Sequence, residues 1–433
     1  MIWNPRAEAM DRAGIEAVQL DRLKKIIAHA YANVPFYKQR MDARGIRPGH
    51  IQTLKDIELL DFTVKNDLRD NYPYGLFAVP MDEVARLHAS SGTTGRPIVA
   101  GYTAEDLANW TECVARLATA GGARKGDIAQ ISFGYGLFTG AFGLHQGLEK
   151  IGAAIVPISS GNTERQITLM RDFGSTILVA TPSYAMYMAE VAEKMDAMKD
   201  IKLRVGLFGA EASTLAMRRE LERRWGILAT ENYGLTEVVG PGVSGECDHK
   251  CGMHINEDYF LCEVIDPDTG RALPPGEPGE MVITTLTKWA MPILRYRTRD
   301  ITRLLSEPCA CGRTTLRMEQ CKGRTDDMLI IRGVNLFPST IESVLVGSEG
   351  VSPNYEIHVT RENYLDKIEV RVEIDDRHNI DDFQEIENLR KGVMAKLRSV
   401  CQLEIPVRFV SPGSLKRFEG KARRVTDQRE QTN

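Results

Sequence analysis

The chain has 433 residues, more than the roughly 250–300 at which a single hydrophobic core stops growing, so two or more domains are expected. Its 43% hydrophobic and 26% charged composition excludes a mostly disordered or fibrous protein. With 55 basic and 59 acidic side chains the formal charge is -4, which lacks the concentrated positive charge of a nucleic-acid binder. No run of 18 uncharged apolar residues and no apolar leader segment occurs, so the expectation is a cytoplasmic protein with neither nucleic acid nor membrane as partner.

In chain order, positions 10–44 place Ile15, Val18, Leu20, Leu23, Ile26 and Ile27 at helical spacing until Pro35 and Gly45 interrupt them. From 84 to 285 short apolar runs alternate with amphipathic stretches. Runs 128–132, 153–158, 176–180 and 204–208 predict buried strands, and 164–173 and 183–195 predict helices, which gives an α/β region with a largely parallel sheet. Positions 266–279, DPDTGRALPPGEPG, predict a hairpin or small β subdomain. Beyond 323 the pattern predicts strand 328–331, helix 338–346, strands 355–360 and 367–374, helix 382–400 and strand 406–410. In that second helix Phe383, Ile386, Leu389, Val393 and Leu397 form one apolar stripe. The fold class is α/β: a large N-terminal domain, 1–325, with mainly parallel sheets plus a β subdomain, and a small C-terminal α+β domain, 326–433.

Five segments carry chemistry. Ser90-Ser91-Gly92-Thr93-Thr94-Gly95-Arg96-Pro97 offers hydroxyls, an arginine and glycine-freed backbone amides to phosphate oxygens, without the Gly-Lys-Ser/Thr of a P-loop. Tyr233-Gly234-Leu235-Thr236-Glu237 sets a hydroxyl beside a carboxylate, the hard oxygen ligands that suit magnesium. Asp300, in Arg295-Tyr296-Arg297-Thr298-Arg299-Asp300, is a carboxylate able to take both hydroxyls of a ribose. Gly323-Arg324-Thr325-Asp326-Asp327 and Glu419-Gly420-Lys421-Ala422-Arg423-Arg424-Val425 complete the series.

Taken in this order, the five segments resemble the adenylate-forming superfamily of acyl-CoA synthetases, luciferases and nonribosomal adenylation domains. Within it the chain is most similar to the phenylacetate-CoA ligase family, on the strength of Phe133-Gly134-Tyr135-Gly136-Leu137-Phe138-Thr139-Gly140, Gly209-Ala210-Glu211, the Val238–Gly242 stretch after Glu237, the segment 331–338, and Arg299 where other branches usually carry glycine. The resemblance implies an AMP-forming acid–thiol ligase: a carboxylate attacks the α-phosphorus of ATP, and coenzyme A then displaces AMP. It implies that Lys421 bridges the carboxylate and the α-phosphate, where negative charge develops. Ser90, Ser91, Gly92, Thr93, Thr94 and Gly95 would hold the β- and γ-phosphates, Thr236 and Glu237 would handle Mg2+, and Asp300 would bind ribose with Arg324 nearby. Tyr233 would stack on adenine beside Gly234, with Gly209, Ala210 and Glu211 lining the purine site. The small second domain would be mobile, with Asp326 its hinge, and dimers are common among such relatives. Relatives that transfer AMP to a deazaflavin or load carrier proteins, and a non-catalytic nucleotide-binding relative, are the competing readings.

Two further expectations come from the residues themselves. Glycines interleaved with Phe133, Tyr135, Phe138 and Phe142 suit a flat ring, so Tyr135, Gly136 and Phe138 are candidate contacts for a small aromatic carboxylic acid. Cys247, His254, Cys309 and Cys311 are candidate ligands of a structural Zn2+, with Cys251 and His249 as substitutes.

Overall fold

The computed structural model describes residues 1–90, 97–325, 327–332, 334–362, 365–375, 378 and 382–429. Near the N-terminus the helix Arg12–Asn33 is capped by the Asp11 carboxylate, which accepts from the Gly14 amide at 2.8 Å. Its apolar stripe buries Ile15, Leu23, Ile26 and Ile27, and the chain breaks at Pro35 into a second helix, Pro35–Ala43, where proline's missing N–H costs nothing.

Strands β1 (Arg86–Ala89) and β2 (Val99–Tyr102) pair antiparallel on either side of residues 90–97. Five parallel strands follow: β3 (Ile128–Ile131), β4 (Ala154–Val156), β5 (Ile177–Ala180), β6 (Val205–Phe208) and β7 (Leu228–Leu235). They lie in the order β7-β6-β5-β3-β4, linked by helices Thr139–Ile151, Thr163–Phe173, Pro182–Lys194 and Leu215–Trp225. β5 and β6 are buried along their whole length, which is why they read as unbroken apolar runs. One face of this sheet joins the main core, and the other buries Leu178, Phe208, Tyr184 and Trp225 in a second core.

The sheet then turns antiparallel through β8 (Gly240–Glu246) and β9 (Met253–Ile255). A four-stranded sheet is built from β10 (Phe260–Ile265), β11 (Gly279–Thr285), β12 (Tyr296–Thr302) and, after the short strands β13 (Leu304–Leu305) and β14 (Arg317–Met318), β15 (Gly323–Arg324). The proline- and glycine-rich 266–279 segment joins β10 to antiparallel β11, as the sequence predicts.

The C-terminal region opens with the hairpin β16 (Leu329–Ile331) and β17 (Val334–Leu336), which the sequence pattern did not predict as a pair. Its four-stranded sheet places β20 (Val407–Val410) parallel to β19 (Leu365–Ile374), β19 antiparallel to β18 (Val351–Glu362), and β21 (Val425–Asp427) parallel to β18. β21 was also absent from the expected order. Helices Pro338–Leu345 and Phe383–Cys401 cover this sheet, and residues between Leu329 and Val407 form a core of their own.

The expected stripe of the second helix is corrected at its start. Val393, Leu397 and Cys401 are buried, Ile386 and Leu389 are half-buried, and Phe383 is 81% exposed. Phe383 is the first helical residue after the Asp382 cap and overhangs the end of the core. Leu397→Ala should therefore destabilise the fold by about 2–5 kcal/mol, and Phe383→Ala by less than about 0.5 kcal/mol. The midpoints of thermal unfolding of the two variants check the contrast.

Candidate active site

Parallel strands joined by right-handed crossovers all end on one edge of the sheet, so the loops after β3, β5, β6 and β7 gather there. Those after β3, β6 and β7 line an open cleft of about 170 Å³. Phe133, Phe138 and Leu144 form one wall, Ala210 and Asn232 another, and Gly234, Thr236, Glu237, Gly240 and Pro241 close it. The β7–β8 turn depends on glycine, since a Cβ on Gly234 would fall 1.4 Å from the Gly240 carbonyl oxygen. Ala210 sits at φ 69°, a left-handed conformation that alanine adopts only under constraint from its surroundings.

Thr236 and Glu237 are both buried at this turn. The Thr236 hydroxyl lies 3.3 Å from that of Thr139, and the Lys288 ammonium donates to the Glu237 carbonyl oxygen at 3.1 Å. Burial pushes the Lys288 amine down to about 8 against the pull of Asp106 and Glu237. Trp110 fixes the other side of the turn, donating its indole N–H to the Pro241 carbonyl at 2.5 Å and stacking on Tyr102.

The Tyr233 hydroxyl donates to Asp300 Oδ2 at 2.6 Å, and Asp300 pairs across β12–β15 with Arg324. Burial and the adjacent Asp300 carboxylate hold the Tyr233 phenol well above its ordinary range. Between β11 and β12 the register shifts, and Arg299 takes φ 70° there while Glu280 accepts its amide at 3.2 Å. That left-handed backbone explains why a glycine would suit position 299 equally well.

The segment carrying Lys421 lies against the same edge of the sheet. The Thr163 hydroxyl donates to Glu419 Oε1 at 3.1 Å, and the Thr181 hydroxyl donates to the Gly420 carbonyl at 3.0 Å. Glu211 accepts from the Ser183 amide at 2.7 Å and from the Ala422 amide at 2.9 Å. Arg417 joins Glu190 at 2.9 Å to Glu373 at 2.8 Å, linking the two regions of the chain. The Lys421 side chain is exposed.

Of the other expected residues, Ser90 accepts from the Ile98 amide at its hydroxyl, at 3.0 Å. Ser91, Gly92, Thr93, Thr94, Gly95 and the expected hinge Asp326 lie outside the described residues. Phe138 lines the cleft, whereas Tyr135 and Gly136 are not among its lining residues. The Tyr135 hydroxyl is instead 3.0 Å from His145 Nδ1, and its ring meets the edge of Phe142. Lys288, Trp110, Thr139, Thr163 and Thr181 were not singled out from the sequence. Only Lys288 left a trace there, as a lone cation just beyond the apolar strand β11.

At the β8–β9 hairpin, one ligand atom each from Cys247, His254, Cys309 and Cys311 lies within 4.8 Å of the others. Cys247 Sγ is 3.7 Å from Cys309 Sγ, and Cys311 Sγ is 3.3 Å from His254 Nε2. The remaining imidazole nitrogen of His254 is 3.3 Å from the Thr315 hydroxyl, which orients the ring. Burial, with Arg313 and Arg317 adding to it, lowers His254 to about 3, so the imidazole is neutral. Cys251 Sγ stands 3.3 Å from Cys309 Sγ, whereas His249 is exposed and faces Asp248.

A parallel sheet with a glycine-bordered cleft, a hydroxyl–carboxylate turn and a Tyr–Asp pair suits a nucleotide-handling enzyme, and the family comparisons place it in the adenylate-forming fold. Residues 16–287 match the AMP-binding enzyme family, and residues 333–429 match the AMP-binding enzyme C-terminal domain. The phenylacetate-coenzyme A ligase of Thermus thermophilus is 46% identical over 99% of this chain and 100% of its own, and that of Aromatoleum evansii is 48% identical over 96% and 94%. The chain belongs to the phenylacetate-CoA ligase family and is an AMP-forming acid–thiol ligase. Among solved structures, 2-hydroxyisobutyryl-CoA ligase in its postadenylation state superposes with a TM-score of 0.94 at 28% identity, covering 99% of this chain and 93% of its own. The same protein in its thioesterification state gives 0.73 at equal coverage, so this chain's arrangement is that of the former. Among the described residues no helix is long and apolar enough to cross a membrane.

Directly before Asn232 and Tyr233 on β7, Glu231 is raised to about 7, first by burial and then by the neighbouring Glu246. A carboxyl raised in the folded state contributes stability that is present below about pH 4.5 and lost as pH climbs through about 7. Glu231→Gln should therefore melt higher than the parent protein at pH 8, with the gap closing toward pH 5. Melting curves across that range check it.

Proposed function

We propose that the chain joins a small arylacetic acid, phenylacetate or a ring-substituted or indole analogue, to coenzyme A at the expense of ATP. The observation that carries this reading is the full-length kinship with phenylacetate-coenzyme A ligases, combined with a cleft walled by Phe133 and Phe138 directly beside Thr236 and Glu237. In this reading the acid's ring lies between Phe133, Phe138 and the glycine-lined β7–β8 turn, where aromatic edges and bare backbone both fit a flat group. Thr236 and Glu237 present the oxygen donors that suit Mg2+. Asp300 receives the ribose hydroxyls beside Arg324, Tyr233 and Gly234 border the base, and Gly209 and Ala210 line it. Ser90 and the loop after it hold the outer phosphates. Lys421 supplies the cation for attack on the α-phosphorus, the step at which its charge is worth most. Residues 1–325 form the ATP- and acid-binding domain, and 326–433 form the mobile domain that brings Lys421.

A panel of acids assayed for AMP release with ATP and coenzyme A tests the substrate class. Phenylacetate should lead, with acids differing by one methylene in the side chain falling off by about 10- to 200-fold. Preference for acetate, a long-chain acid or an amino acid over every aryl acid would overturn the reading.

The cysteine cluster is assigned to structural zinc. Tetrahedral Zn2+ with Zn–S bonds of about 2.3 Å holds its ligand atoms about 3.8 Å apart, close to the spacing observed, and thiolate with neutral imidazole is its preferred donor set. Such a closed site would pin the β8–β9 hairpin to the 306–316 loop. Elemental analysis of protein purified without added metal should give about one zinc per chain, and Cys309→Ser should lose it together with thermal stability. Freely titrating thiols and no metal would remove the assignment.

A further inference from the structure

The loop around Lys421 is held by its neighbours and not by the lysine. Lys421 is exposed, and among the described residues its side chain has no hydrogen-bond or ion-pair partner. Glu419, Gly420 and Ala422, by contrast, are each bonded to a different loop at the carboxyl edge of the parallel sheet. Thr163 opens the helix after β4, Thr181 caps the helix after β5, and Glu211 follows β6. The three anchors thus stand in a row on one rigid edge.

Glu211 is the member whose chemistry is most specific. Its Oε1 accepts from Ser183, a first-turn amide of the 13-residue helix Pro182–Lys194, which has no partner within its own helix. Its Oε2 accepts from the amide that directly follows Lys421. Both oxygens therefore face backbone donors. Only a carboxylate offers two acceptor oxygens and no donor, so an amide in its place would turn an NH2 toward one of the two N–H groups. Burial raises the Glu211 carboxyl above its ordinary range, and the bonds from Ser183 and Ala422 and the charge of Arg424 oppose that rise.

We infer that Glu211, supported by Thr163 and Thr181, is a positioning residue for Lys421: it seats the backbone of the lysine loop on the parallel sheet so that the ammonium is presented, unencumbered, for the adenylation step. The inference rests on the reading of Lys421 as the adenylation cation. It departs from a role in which Glu211 lines the purine site. An acyl adenylate carries the same purine as ATP, so loss of a purine contact would weaken both half-reactions. Loss of the seat weakens only the step that uses Lys421.

The test measures the two half-reactions separately in the full-length enzyme. Pyrophosphate release from ATP and phenylacetate reports the first, and thioester formation from synthetic phenylacetyl adenylate and coenzyme A reports the second. Glu211→Ala and Glu211→Gln should each slow the first by about 10- to 100-fold, the worth of a hydrogen bond to a charged group, and leave the second within about twofold. Thr163→Val should give a smaller loss of the same kind. Lys421→Ala serves as the reference. If it loses the first half-reaction selectively but the Glu211 variants lose neither or both equally, the positioning role is overturned and the lysine's role stands. If Lys421→Ala spares the first half-reaction, the reading beneath the inference falls with it. Should Glu211→Ala fail to fold, the near-isosteric Glu211→Gln and Thr163→Val carry the same comparison.

Discussion

The constraint on which the rest depends is that parallel strands can discharge their function at one edge only. Each crossover returns the chain to the same starting side, so β3 to β7 all deliver their following loops to a single rim. The rim supplies the aromatic wall after β3, the threonine cap after β5, the strained Ala210 turn after β6 and the Thr236–Glu237 turn after β7. The antiparallel sheet then brings Asp300 to Tyr233 from a different direction, and its bulge at Arg299 sets the approach. The C-terminal segment needs only to lie along this rim to meet every part at once.

Much of this was legible in the sequence because burial on both faces leaves a simple signature. β5 and β6 are continuous apolar runs, and their predicted limits agree with the structure to within a residue. The Tyr233–Glu237 and Arg295–Asp300 segments were legible for another reason: they gather hydroxyls, carboxylates and glycines in numbers that a plain turn does not need. Cysteines are scarce enough that Cys247, His254, Cys309 and Cys311 stood out before their convergence was seen.

What stayed hidden depends on closure in three dimensions. Thr163 and Thr181 look like ordinary helix-start residues, and Thr181 does cap its helix; that both also reach the Lys421 loop follows from residues more than 200 positions away. β21 is three residues long and owes its existence to the free edge of β18. Among Phe133, Tyr135 and Phe138, sequence cannot tell which ring faces a cleft, because the chain from 132 to 138 is irregular and has no fixed period. His145, ten residues on, is what draws Tyr135 aside. Buried Lys288 behaves likewise, since its meaning comes from the carbonyl of Glu237 and not from its own neighbours.

The joint between the two parts of the chain has a thermal consequence. Arg417 keeps both terminal nitrogens on Glu373, in its own region, and spends only Nε on Glu190 across the joint, while Asn354 reaches Glu190 at 2.7 Å. Val346 packs against the second core and the helix Pro338–Leu345 touches Leu215–Trp225, while among the described residues the bonds of Glu190, Glu211, Thr163 and Thr181 to the C-terminal region make the rest of the joint largely polar. Parting such a surface wets mainly polar groups, whose hydration lowers heat capacity, against the large rise that apolar exposure brings. Opening this joint would therefore carry a smaller heat-capacity change than opening an apolar interface of the same area, and its free energy would curve less with temperature.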